Sequence, residues 1–248
     1  MIYVCVRAHN HGSTVGLLLW KVRQVFASFP REYHLLVADD GSTDDTAEVL
    51  ELYQRVLPLT VLTNQRPLGY AACVSQLLAR ALELTDRPRR DCAVTLLPDF
   101  TVAPEVLPEL IRRIESGADL VVGESPNGPA PLLWRLVKRY QGWLLRPGLN
   151  VPGVRDFLSG CYALRLAILR QWKKERSMVL ETSGWSANAE LVARAAAHAR
   201  QIVALTLPPG RKRKRPPAMA SLAVAMDLYR AGRRLRIPAP NAAVSRAS

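Results

Sequence analysis

The chain has 248 residues, 49% of them apolar, with 34 Lys or Arg against 21 Asp or Glu and a formal net charge of +13. That length and apolar share suit one large α/β domain or two small ones with a real core, and the lack of any 18-residue apolar run argues against a membrane-spanning helix. The four cysteines, Cys5, Cys73, Cys92 and Cys161, lack zinc or disulfide spacing, so they are expected to be reduced core residues in a cytosolic protein.

Residues 2–6 are apolar and β-rich, and 14–29 carry apolar residues at helical spacing. A strand is expected at 34–38, a helix at 43–53, a strand at 59–62 and an Ala- and Leu-rich helix at 70–84. A strand follows at 93–97, a helix with Pro in its first turn at 104–116, and a short strand at 120–122. Strands alternating with helices imply a mostly parallel central sheet with helices on both faces. Beyond it, 125–131 reads as a loop and 132–145 as a helix carrying Trp134, Arg135, Lys138, Arg139 and Trp143. Residues 154–164 read as a loop turning into a strand, 186–200 as a helix, 202–207 as a strand and 208–217 as a basic linker. A last helix spans 218–236, and the final dozen residues are expected to be disordered.

The charge is uneven. Residues 211–236 hold nine Arg or Lys and one Asp, a patch suited to phosphate, nucleic acid or an acidic membrane surface. No specific nucleic-acid partner is expected, because no aromatic residues interleave with that charge as stacking platforms. The N-terminus enters a strand directly and lacks a signal-peptide pattern. These features point to the cytoplasm, with peripheral attachment to the cytoplasmic membrane face at most.

Four consecutive strand-to-helix junctions carry polar or glycine-bearing turns. The first holds Arg7 and Asn10, and the second is Asp39-Asp40-Gly41-Ser42-Thr43-Asp44. The third runs from Asn64 to Gly69, and the fourth ends in Leu97-Pro98-Asp99. Carboxylates at the C-terminal edge of an open α/β sheet sit where such sheets bind ligands. Gly69 opens a helix whose N–H groups can face a phosphate. The alternative for the acidic pair is a capped strand–turn–helix junction, and for Asp99 an ordinary turn residue.

In this order the junctions resemble those of the family 2 glycosyltransferases of the GT-A fold. Within that family they are most similar to the dolichyl- and polyprenyl-phosphate sugar transferases, the dolichol-phosphate mannosyltransferase-like branch. Asn10, residues 39–46, Asn64 with Gly69, and Asp99 with Pro104-Glu105 match the family pattern. Residues 119–123, 154–165 and 184–194 resemble its later segments, so the likeness covers roughly residues 1–210. The resemblance implies a Rossmann-like GT-A domain over 1–210, followed by a basic linker, an amphipathic helix and a flexible tail over 211–248.

It also implies an inverting transfer of a sugar from a UDP- or GDP-sugar donor to a polyprenyl phosphate or similar membrane acceptor. Arg7, Asn10, Asp39, Asp40, Ser42, Asn64 and Gly69 would hold the donor nucleotide. Asp99 would bind Mg2+ or Mn2+ bridging the diphosphate, since such ions prefer carboxylate and phosphate oxygens. Arg135, Arg139, Arg155, Ser159 and Arg211 are the candidates for the acceptor phosphate; solvated surface is the alternative for each arginine. A hydroxyl acceptor would need a base, and Asp156 and Glu190 are the candidates. The chain departs from the family pattern at His9-Asn10-His11, at Leu97 in place of the first Asp of Asp-x-Asp, and at Ser125 in place of an arginine. Those departures keep open a non-catalytic nucleotide- or lipid-phosphate-binding member of the same fold.

Overall fold

Near-continuous apolar runs form the first four strands: β1 (Ile2–Ala8), β2 (Tyr33–Asp40), β3 (Leu59–Asn64) and β4 (Cys92–Leu96). Strands covered on both faces need this pattern. Between them lie α1 (Gly12–Ser28), α2 (Thr46–Gln54) and α3 (Tyr70–Leu84). After β4, a 3-10 turn at Pro104–Val106 leads into α4 (Leu107–Glu115), and then β5 (Leu120–Glu124) and α5 (Leu132–Leu144). The rest of the chain gives β6 (Tyr162–Arg165), α6 (Leu166–Glu175), α7 (Ser186–His198), β7 (Ile202–Thr206), α8 (Ala218–Arg234) and β8 (Val244–Ala247). This is a computed structural model, and it describes residues 1–125, 132–146, 148–175, 177–208, 218–240 and 242–247.

The strands form one sheet in the order β3-β2-β1-β4-β6-β5-β7-β8. All neighbours pair in parallel except β6, which runs antiparallel to both β4 and β5. Side-chain alternation divides the core between the faces. Val4 and Val6 pack with Leu18 and Leu19 of α1 and Leu110 and Ile111 of α4. Tyr3 and Cys5 face the opposite layer, with Leu77 and Leu78 of α3, Leu191 of α7 and Leu228 of α8. All four cysteines are buried free thiols. Among the described residues, no helix is long and apolar enough to cross a membrane.

Two elements differ from the sequence expectation. The first is α6, which buries Leu166, Ile168, Leu169 and Trp172 on one side. It follows β6 without a glycine or proline, so nothing in the sequence marks where strand becomes helix. The second is β8, which lies in the segment expected to be disordered. It pairs with β7 in the register Ile202↔Val244 and Ala204↔Arg246. Its four residues have little strand character of their own; the open edge of β7 supplies the hydrogen bonds that order them.

Candidate active site

The chain runs from β1 outward through β2 and β3, then returns to place β4 on the other side of β1. The order therefore reverses between β1 and β4, and a crevice opens there at the C-terminal ends of the strands. The loops after β1 and β4 flank it, bringing His11 towards Asp99. Asp99 acts electrostatically on His11, but burial outweighs it and lowers the His11 pKa below its ordinary value.

Asp40, at the end of β2, is fully buried and holds the crevice together. Its Oδ2 accepts from Arg7 Nη2 at 2.7 Å, Arg7 Nε at 3.1 Å and the Gly69 amide at 3.0 Å. Its Oδ1 accepts from the Leu68 amide at 2.6 Å and Asn64 Nδ2 at 3.3 Å. Burial by itself would raise the Asp40 pKa. The Leu68 amide, the Arg7 guanidinium, the Cys73 thiol and the Gly69 amide together outweigh it and hold the carboxyl at about 2. Asp40, Arg7, Asn64 and the Gly69 amide thus satisfy one another, and the unit fixes the 66–69 loop against β2. Gly41 lets that loop approach: its φ is +64°, and a β-carbon there would stand 2.8 Å from the Arg66 carbonyl carbon.

Asn10 ties the first loop to the second. It adopts a left-handed conformation with φ of 56°, its amide donates to Ser42 Oγ at 3.0 Å, and its Oδ1 accepts from the Thr43 amide at 2.8 Å. Asp39 is nearly buried and accepts the Ser42 amide at 3.2 Å through Oδ1. Among the described residues its other oxygen takes no hydrogen bond. Asp44 accepts from the Gly12 and Thr46 amides, bracing the starts of α1 and α2.

Asp99 stands exposed beyond β4, with Oδ1 accepting the Thr101 amide at 2.9 Å. Leu97, where a second carboxylate was missing, packs on Gly160, at which a β-carbon would come within 3.0 Å of the leucine side chain. Among the described residues no group of three or more His, Cys, Asp or Glu could hold a metal ion. The donor set here is a single carboxylate with one oxygen open. It fits a hard cation that takes its remaining ligands from a diphosphate and water, as Mg2+ does.

A second concavity lies further along the same edge. Because β6 is antiparallel, the loop before it crosses the C-terminal ends of β4 and β5. With α5, that loop bounds a cavity of about 860 Å³. Six cationic side chains line it (Arg135, Lys138, Arg139, Arg146, Arg155 and Arg246) against two carboxylates, Glu124 and Asp156. Both carboxylates are paired, Asp156 with Lys138 at 3.0 Å and Glu124 with Arg246 at 3.2 Å. The guanidinium groups of Arg135, Arg139, Arg146 and Arg155 make no ion pair or hydrogen bond among the described residues, which leaves the cavity strongly electropositive. The crevice lies at β1 and β4 and the cavity at the ends of β5, β7 and β8, so both open along one edge of the same sheet.

Ser159 and Glu190 sit away from any open surface, whereas Asp156 is buried but lines the basic cavity. Ser159 is buried, and its Oγ accepts the Cys161 amide. Asp156 accepts the Ser125 and Leu158 amides besides pairing with Lys138. Glu190 is fully buried and accepts from the Glu181 and Thr182 amides, the Thr182 hydroxyl and Arg194 Nε at 2.7 Å. Every acceptor position of Glu190 is filled, whereas Oδ1 of Asp156 accepts only the Leu158 amide among the described residues. Trp134 and Trp172 are both buried in the core. Arg211 and the basic run 211–215 lie outside the described residues. Reading the sequence also passed over Glu124, Arg146 and Arg246 as cavity residues. Arg246 carries no local signal, because only the β7–β8 register brings it to the cavity.

The protein-family model described as glycosyl transferase family 2 matches residues 3–170. An uncharacterised glycosyltransferase of Mycobacterium tuberculosis is 32% identical over 185 residues, covering 73% of this chain and 75% of that protein. A dolichol-phosphate mannosyltransferase of Pyrococcus furiosus is 26% identical over 143 residues, covering 55% of this chain and 39% of that one. The chain spans about half or less of the length of the lipid-phosphate transferases it matches. Among solved structures, glucosyl-3-phosphoglycerate synthase from Mycobacterium tuberculosis, in complex with Mn2+, UDP and glucosyl-3-phosphoglycerate, superposes with a TM-score of 0.61 at 23% identity. That match covers 94% of this chain and 78% of that one, and it establishes the GT-A-type fold.

Proposed function

From its membership of glycosyl transferase family 2, we propose that this chain transfers a sugar from a nucleoside-diphosphate donor to the phosphate of a polyprenyl lipid. The basic cavity beside the strand tips carries this reading. The donor lies across the β1/β4 crevice, with the open oxygen of Asp39 and the loops pinned by Asp40 and Asn10 receiving the nucleoside. The acceptor phosphate enters the cavity under α5, among Arg135, Arg139 and Arg155. Lipid-phosphate sugar transferases among the relatives support this choice of acceptor.

A phosphate oxygen, already anionic, attacks the anomeric carbon, and the bond from that carbon to the donor diphosphate breaks on the opposite face, with inversion. No proton has to leave the nucleophile. The chain's task is then placement and electrostatic stabilisation, for which the unpaired arginines are suited. The internal pairing of Glu190 fits this chemistry, and Asp156, paired with Lys138 at the cavity wall, is the position from which a hydroxyl acceptor would draw a base. A divalent cation on Asp99 would neutralise charge on the leaving diphosphate. The acceptor is reached at a membrane surface, to which the chain attaches peripherally.

Calorimetry with UDP and GDP, with and without Mn2+, tests the donor side. Binding that requires the metal and is lost in Asp99→Asn is expected. Equal metal-free binding by both proteins would refute the assigned donor site. Leu97 motivates the alternative of a binding protein without turnover, which would show nucleotide affinity but no transfer.

A further inference from the structure

Helix α5 buries Trp134, Val137 and Gln141 and leaves Leu132, Leu136, Tyr140 and Trp143 exposed, the first and last at 70% and 69%. These four recur every three or four residues, so they form one stripe. Helix α8 repeats the pattern: Val224, Leu228 and Ala231 are buried, while Leu222, Met226 and Tyr229 are exposed. The two helices pack together. The Gly148 amide donates to the Gly232 carbonyl at 2.9 Å, and a β-carbon on Gly232 would stand 2.4 Å from the Leu145 carbonyl oxygen. Both helices bury the same core cluster, so their uncovered faces point to the same side of the sheet.

We infer that the paired outer faces of α5 and α8 are a docking surface for an anionic lipid bilayer; this rests on the lipid acceptor proposed above. Three features favour a bilayer over another protein. The apolar stripes end in Tyr140, Trp143 and Tyr229, whose rings suit the boundary between acyl chains and headgroups. Exposed arginines flank them on both helices: Arg135, Arg139 and Arg146 near the first, Arg230 and Arg233 on the second. Such a mixture of apolar and basic side chains is what an interfacial helix needs to hold an anionic leaflet. The α5 stripe also forms one wall of the 860 Å³ basic cavity. A lipid can therefore pass its phosphate into the cavity while its chain stays in the membrane.

Flotation with vesicles of phosphatidylcholine, with and without phosphatidylglycerol, tests the inference, using the intact chain, Leu222→Ser/Met226→Ser and Leu136→Ser/Trp143→Ser. The native chain is expected to float with the anionic vesicles and to stay largely unbound with neutral ones. Each double variant should weaken binding by at least about 10-fold. Because Leu222 and Met226 lie outside the cavity, their variant should keep native nucleotide affinity and native transfer to a short-chain, detergent-dispersed acceptor. Native-like vesicle binding by both variants would overturn the inference. So would a dimer that both variants dissociate, without vesicle binding, because a second copy would then cover the face. Vesicle binding lost in the variants but with no transfer to any lipid phosphate would leave the docking surface standing and remove the enzymatic reading instead.

Discussion

Replacing Asp40 with asparagine should destabilise the protein and do so in a pH-dependent way. The Asp40 carboxyl is held at about 2 against the usual 3.8. At ~1.4 kcal/mol per pH unit this contributes about 2–3 kcal/mol of stability at neutral pH. Because the folded pKa lies below the unfolded one, the contribution is complete above the unfolded value and disappears as pH falls through the folded value. About half of it should be gone at pH 3. The asparagine variant has no such charge to lose, so the gap between the two proteins should narrow over that interval. Urea unfolding of both at pH 7 and at pH 3, analysed by linear extrapolation, reads the gap directly. The same substitution releases the Leu68 and Gly69 amides, so nucleotide affinity should fall with stability. A gap below ~0.5 kcal/mol at pH 7, or one unchanged at pH 3, would refute the assignment of Asp40 as the ionised anchor of the crevice.

Four further outcomes follow from the same geometry. Asp99→Ala should cost little stability, since the residue is exposed and accepts one backbone hydrogen bond; metal-dependent nucleotide affinity should nevertheless drop by about 10-fold or more in calorimetry. Arg246→Ala removes a cavity cation and leaves Glu124 without its partner; KM for the lipid acceptor should rise roughly 10-fold with little change in kcat. Arg194→Ala strands the buried Glu190 carboxylate and should destabilise by ~3–5 kcal/mol in chemical denaturation. Gly232→Val drives a side chain into the Leu145 carbonyl and should lower the thermal midpoint by several degrees, for a cost of ~1–3 kcal/mol.

The first half of the chain was legible because each strand is an unbroken apolar run and each junction a compact polar turn. Asp39, Asn64 and Asp99 could be placed on one edge because parallel strands put all their C-terminal ends there. The division of labour within the acidic pair was not legible. Asp39 and Asp40 are adjacent, yet the pleat turns them to different neighbours, and only three dimensions show Asp40 consumed by Arg7 and the 66–69 loop. The partners of Asp156 and Glu190 were illegible for a related reason. A carboxylate in an apolar segment reads equally as a base or as half of an internal pair, and only three dimensions bring Lys138 and Arg194 beside them. Arg135, Arg139 and Arg155 could be singled out on their segments, but Arg246 depends on a strand pairing across more than forty residues of sequence.

The central claim is tested most directly by sugar transfer itself. The chain would be incubated with UDP- and GDP-sugars carrying a labelled sugar, a divalent cation and a polyprenyl phosphate, and label would be counted in the organic-extractable lipid. Label entering the lipid from one donor, abolished by Asp99→Asn and by Arg135→Ala/Arg139→Ala, is the predicted result. Nucleotide release without lipid labelling, or transfer that persists in both variants, would contradict the account.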